Sequence, residues 1–214
     1  MNSFMMDIKN NSNDLHSVAE KTGFLKRLLE GKASTESYAE YLYNLYEVYR
    51  AIEINLEKSK DNEIVKEFVL PEIYRADVIL KDVKFLLGEN LESVKLLAST
   101  RAYVARINEI GEENPELIVA HAYTRYLADL FGGRTIYGLV KDLYKIEEEG
   151  LNYYKYDSLS DGPEMRNFVM AYHNKLNNLN LNEDMKETFI NEVANSYVYN
   201  IAISNELDFI RFNK

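Results

Sequence analysis

Only three prolines and nine glycines punctuate 214 residues, and that scarcity leaves little but long uninterrupted helices for the chain to form. A sandwich or barrel would need turn residues at roughly every 8–12 positions. The prolines also sit where helices begin or end. Pro71 follows a short element at 63–69, Pro115 lies in the cap-then-proline start Asn114-Pro115-Glu116, and Pro163 opens a later helix.

Residues recurring at three- and four-residue steps fill in the rest. Asp14 caps a first helix over 14–29, ended by Gly31. Ser34 to Ser37 opens a second, whose apolar stripe is Tyr38, Tyr41, Leu42, Leu45, Val48, Tyr49 and Ile52. Further helices are predicted over 72–87 (stopped by Gly88) and 91–110 (stopped by Gly111), and from Asn114 to the pair Gly132-Gly133. Others follow over 135–148, 163–179 and 183–212, with a loop over 151–162. No internal repeat or linker divides the chain. The expectation is an all-α, single-domain multi-helix bundle over 1–214.

A net charge of −10 argues against nucleic acid as a partner, because phosphate binding needs a basic field. With no cysteine, disulfides, iron–sulfur ligation and thiolate catalysis are excluded. No apolar run has the length of a membrane span and no signal peptide is visible, so a soluble cytoplasmic protein without a membrane anchor is expected.

Two features suggest chemistry. His16 stands one turn before Glu20, so a carboxylate can fix the tautomer of an imidazole that binds metal. With three histidines in the chain, a single-histidine site favours haem over zinc. On its own, a lone histidine near a helix start is more often a surface or capping residue. The second feature is Arg125, Asp129 and Gly132/Gly133, spaced to share a helix face. The glycine pair reads either as a helix end or kink, or as bare backbone making room for a flat ligand. Arg125–Asp129 is equally an ordinary i,i+4 ion pair, and Tyr49 from the second helix is a further candidate partner for the aspartate.

The block Val119-Ala120-His121-Ala122-Tyr123-Thr124-Arg125-Tyr126-Leu127-Ala128-Asp129-Leu130-Phe131-Gly132-Gly133 resembles the signature of the haem oxygenase family, HAYTRYLGDLSGGQ. The opening, from Leu15-His16 through Ala19-Glu20, Phe24 and Gly31 to Leu45-Tyr46-Glu47-Val48-Tyr49-Arg50-Ala51-Ile52-Glu53, is similar to the start of that family. Phe168, Tyr172, Leu176 to Leu179 and Asn200-Ile201 extend the likeness over nearly the whole chain.

The resemblance implies a haem oxygenase fold and activity: cleavage of haem to biliverdin, ferrous iron and carbon monoxide, using dioxygen. Haem b would be both substrate and prosthetic group. His16 would be the axial iron ligand, backed by Glu20, with Gly132 and Gly133 against the opposite face. Asp129 would position water, supported by Arg125, Tyr49 and Asn200, while Lys9 and Tyr123 would hold propionates. No Gly-x-Gly-x-x-Gly follows a strand, so no bound flavin or NAD is expected. Electrons would come from an external donor (a reductase, flavodoxin or ferredoxin), with Lys21, Lys26, Arg27 and Lys32 as a candidate docking patch. The sequence departs from the family at Ala128, where glycine is usual, at Phe131, where serine is common, and at Val169 and His173, where basic residues face the propionates. These departures leave open a haem-sequestering protein with little turnover.

Overall fold

The computed structural model describes residues 3–157, 159 and 162–212, with Arg134 described by its backbone alone; Ser158, Ser160 and Asp161 of the predicted loop lie outside the described residues. Eight α-helices and short 3-10 turns make up the described residues, with no strand among them. The all-α bundle expected from the rarity of proline and glycine is what forms.

The first helix differs from its sequence expectation at both ends. α1 (Phe4–Lys21) starts ten residues earlier, where the Ser3 side chain accepts from the Met6 amide and Asn177 accepts from the Met5 amide. Phe4, Met5 and Ile8 are its buried residues in this first stretch, so the early turns are held by packing as well as by the cap. The chain then breaks before α2 (Gly23–Leu29). Thr22 is extended and Gly23 takes φ +59°, seated so closely on the last long helix that a Cβ would lie 2.7 Å from the Ser204 backbone. Only glycine fits both the angle and the approach.

α3 (Thr35–Lys58) begins with a reciprocal capping box between Ser34 and Ser37. It packs on α4 (Ala76–Leu87), α5 (Ala98–Glu113) and the helix that follows. Gly111 does not stop α5. A Cβ there would lie 2.0 Å from Asn55 Oδ1, so this glycine permits close helix packing and the helix runs on to Glu113.

α6 (Ile118–Tyr144) is one continuous helix of 27 residues and passes straight through Gly132 and Gly133. The expected break there, and the separate helix over 135–148, do not occur. Residues 118–127 are buried on every side, as in a helix at the centre of a core. Each fully buried Ile, Val or Leu contributes about 1.5–3 kcal/mol, enough to offset two helical glycines at about 1 kcal/mol each. The far end is tied down as well: Tyr144 donates to the Leu28 carbonyl and accepts from the Ala33 amide. α7 (Pro163–Asn177) and α8 (Glu183–Phe212) lie close to their predicted bounds.

Glu53, in α3, caps α4 from a distance. Its carboxylate accepts from the Arg75 and Ala76 amides at 2.6 and 3.1 Å and from the Tyr126 hydroxyl at 3.3 Å. Burial pushes this carboxyl up to about 7, against those hydrogen bonds. The folded state therefore keeps a proton that the unfolded chain releases near 4.5, and stability drains away as pH rises from about 4.5 through 7. The Glu53→Gln variant cannot ionise. Between pH 5 and 8 the wild type is expected to lose about 2 kcal/mol more than the variant, which is roughly 4–8 °C of Tm. Parallel Tm–pH curves for the two proteins would contradict this.

Candidate active site

α1 and α6 both lean on α8 and stay apart from each other, and the space between them is a cleft of about 860 Å³. This is within the range of pockets that enclose a small organic ligand. One wall is the stripe Met5, Lys9, Ser12, His16 and Glu20, which three- and four-residue spacing places on a single face of α1. The opposite wall is Thr124, Arg125, Ala128, Asp129 and Gly132 on α6. Tyr197, Asn200 and Ser204 of α8 also line it.

His16 is about half exposed, with Nε2 3.8 Å from Glu20 Oε1 and its ring edge-on to Tyr197 at 5.9 Å. The other two histidines differ. His121 is fully buried outside the cleft, 3.0 Å from both Tyr103 and Glu192. Burial lowers its pKa, so a neutral ring donates from Nε2 and accepts at Nδ1, with the tautomer assigned from its partners. Glu192 is held at about 2 despite its burial, by hydrogen bonds from His121 and Arg106. His173 lines the cleft, and burial followed by the charge of Lys9 lowers its pKa.

The two glycines part company. A Cβ on Gly132 would meet nothing within 4 Å, because that position opens onto the cleft. Gly133 is turned away, and a Cβ there would sit 3.3 Å from the Tyr154 ring. Ala128 lines the cleft, and Phe131, 66% exposed, stands beside it.

Asp129 is the unusual group. Arg125 Nη2 lies 3.3 Å from Oδ1, while Oδ2 is buried with no partner, as is Arg125 Nε. Burial pushes the carboxyl well above the usual range, with Tyr153 pulling the other way. Arg125 also donates to Asn200 Oδ1 and to the Tyr153 hydroxyl, both at 3.0 Å. Buried polar atoms without partners are rare, and two of them flanking one cleft indicate a place built for water or a ligand.

Tyr49 does not line the cleft. It is fully buried, with its hydroxyl 3.5 Å from that of Tyr153 and its ring 5.2 Å from the Arg125 guanidinium. The aromatic neighbour at Asp129 is Tyr153, from the segment expected to be a plain loop. Asp82 accepts from the Asn152 and Tyr153 amides, and Arg75 donates to the Tyr153 and Lys155 carbonyls, so this segment is pinned. Leu151, Tyr153 and Tyr154 give it an apolar density that exposed loops do not carry, and that was the available signal.

These residues can hold a flat iron macrocycle. An accessible imidazole lies on one side, bare helix backbone on the other, a lysine on the wall, and unpartnered proton-carrying groups beside the glycine. The family model described as heme oxygenase matches residues 2–206. Heme oxygenase 1 of Synechocystis sp. is 33% identical over 194 residues, 90% of this chain and 80% of the relative. Heme oxygenase-2 of Synechocystis sp., solved in complex with heme and NO, superposes with a TM-score of 0.91 at 30% identity over 96% of this chain and 85% of that one. Heme oxygenase-1 of Synechocystis sp., solved in complex with heme, gives 0.90 at 31% over 97% and 93%.

Proposed function

The chain belongs to the haem oxygenase family, and from that membership we propose the roles its cleft residues play in degrading haem. The protein is a haem oxygenase: haem is its substrate and prosthetic group, and biliverdin is the product. Bound haem supplies the redox-active iron and the ring that is oxidised.

His16 would hold the haem iron through one ring nitrogen. Its half exposure leaves the ring free to turn a neutral nitrogen to the iron, and Glu20 accepts from the other N–H, fixing the tautomer. Gly132 lets the opposite face approach the α6 backbone. Lys9 and Tyr123 hold the propionates. His173 joins them as a neutral donor where the family has a cation.

Asp129 holds a proton at Oδ2 and passes it through water to the distal face. Arg125, anchored by Asn200 and Tyr153, fixes the carboxyl's direction. Tyr49 acts from behind, by packing Tyr153 and Arg125 in place. Dioxygen is the co-substrate, with ferrous iron and carbon monoxide leaving alongside biliverdin.

Electrons come from an external reductase, flavodoxin or ferredoxin. The basic patch on α1 and α2 is partly neutralised from within: Arg27 pairs with Asp208, and Lys26 and Lys32 pair with Glu30. Docking therefore depends on more than those charges. No helix among the described residues is long and apolar enough to cross a membrane. The cytoplasm, where such donors occur, is the proposed location.

The observation that carries these roles is that His16 and the bare backbone of Gly132 line one cleft with the Asp129–Arg125 pair. Gly132→Leu separates binding from folding. The haem-free variant is expected to be as stable as the wild type or up to about 1 kcal/mol more so, because leucine favours helix over glycine. Haem affinity should fall at least about tenfold, since the new side chain fills ligand space. Undiminished haem binding would contradict the assignment.

A further inference from the structure

The chain carries 17 tyrosines and neither cysteine nor tryptophan. Four of the tyrosines form a continuous line from the cleft to the surface. Tyr153 lines the cleft, and its ring centroid is 6.0 Å from that of Tyr49. Tyr49 lies 5.6 Å from Tyr126, and Tyr126 stacks on Tyr74 at 6.4 Å and an interplanar angle of 16°. Tyr49, Tyr126 and Tyr153 are all but fully buried, whereas Tyr74 is partly exposed.

Above about pH 7, where Glu53 is ionised, each of the two outer hydroxyls has a carboxylate to take its proton. Tyr126 donates to Glu53 Oε1 at 3.3 Å and Tyr74 donates to Glu57 Oε1 at 3.1 Å. Packing alone accounts for rings in contact. It does not by itself put a carboxylate on each of two successive phenols: Glu53 also caps α4 through the Arg75 and Ala76 amides, while Glu57 takes no part in that cap.

We propose that Tyr153, Tyr49, Tyr126 and Tyr74 form a path that carries oxidising equivalents out of the cleft to the protein surface when haem meets hydrogen peroxide. The proposal rests on the haem-binding reading above. The reaction balances as H2O2 + 2 Tyr–OH → 2 H2O + 2 Tyr–O•. Each tyrosine oxidised loses one electron, which moves inward to the cleft, and one proton. Tyr153 and Tyr49 give up their protons only transiently, toward the cleft, and regain them as the next ring's electron arrives; protons left on the outer carboxylates are matched by protons drawn from solvent at the cleft.

Proton loss is obligatory, because a phenol that has given up an electron is too strong an acid to keep its proton, and a buried charge is costly. Glu53 accepts the Tyr126 proton only transiently, since an electron arriving from Tyr74 restores the Tyr126 phenol. The radical ends at Tyr74, with its proton on Glu57, and a one-electron reductant such as ascorbate returns it to tyrosine. The path would spare the haem-facing residues from an oxidant that no cysteine or tryptophan is present to absorb.

The test uses the haem-loaded protein. One equivalent of hydrogen peroxide is added with a nitroso spin trap, the radical is followed by electron paramagnetic resonance, and the adduct is mapped by peptide mass spectrometry. The adduct is expected on Tyr74. Tyr126→Phe keeps the ring but removes the proton needed for oxidation, so the haem spectrum should be unchanged while Tyr74 labelling falls at least tenfold. Tyr74→Phe should move the label inward to Tyr126 or Tyr153.

Wild-type labelling on Tyr197 or Tyr123 instead, or Tyr74 labelling unaffected by Tyr126→Phe, would overturn the path. A normal haem complex that gives no tyrosine adduct overturns the path alone. Failure to form any haem complex overturns the haem-binding reading as well.

Discussion

His16→Ala is expected to abolish nearly all biliverdin formation while leaving the fold intact. His16 is about half exposed, and its contacts are Glu20 at 3.8 Å and the edge of Tyr197, so truncation leaves no buried partner behind. The loss should therefore appear in the haem complex and hardly in stability, since exposed substitutions usually stay within about 0.5 kcal/mol. Disturbing a group that hydrogen-bonds a metal's ligand typically costs about 10–100-fold, so removal of the ligand itself should cost at least about 100-fold. His121 cannot substitute, sealed as it is behind Tyr103 and Glu192; His173 lines the cleft from α7, and a His16→Ala, His173→Ala double variant excludes it. Added imidazole should enter the vacated space and restore part of the activity. Unchanged turnover and an unchanged haem spectrum in His16→Ala would refute the ligand assignment.

The second large effect is expected at Asp129. Asn keeps the shape and the hydrogen bond from Arg125, but it cannot lend or regain a proton. Positioned proton transfer contributes roughly 10²–10⁴-fold, so Asp129→Asn should lower the rate of biliverdin formation by about 100-fold or more. Haem affinity should change little, because the lost function is proton delivery. Burial raises the carboxyl well above its usual range. As pH rises through that raised value the proton is lost, so wild-type activity should decline on the alkaline side and the variant's residual activity should not. A variant with wild-type rate, or one that simply fails to bind haem, would contradict the role given to Oδ2.

The parts of this protein legible in its sequence are those where local chemistry and packing agree. The α3 start was readable because Ser34 and Ser37 satisfy each other's amides without help. His16, Glu20, Arg125, Asp129 and Gly132 were readable as one-faced clusters because helical spacing alone puts them together. Most of the misplaced helix breaks share one cause, a glycine whose role is set by its neighbours in space. Gly23 breaks the first helix because Ser204 and Asn205 leave no room for a Cβ, whereas Gly111 breaks nothing because Asn55 fills that same space. Gly132 and Gly133 look alike in the chain, yet one faces open cleft and the other the Tyr154 ring. Tyr153 was missed because its segment lacks helical periodicity; Asp82 and Arg75, some seventy positions upstream, hold it in the site.

The most direct measurement is the electron paramagnetic resonance spectrum of the ferrous nitrosyl haem complex, in which a ligating imidazole nitrogen adds a further splitting to each of the three lines given by the nitrosyl nitrogen. The wild type and His173→Ala should both show that further splitting, and His16→Ala should lose it and keep only the three nitrosyl lines. If the further splitting persists in His16→Ala, or disappears in His173→Ala, the iron is not held by the α1 imidazole and the cleft does not grip haem as described.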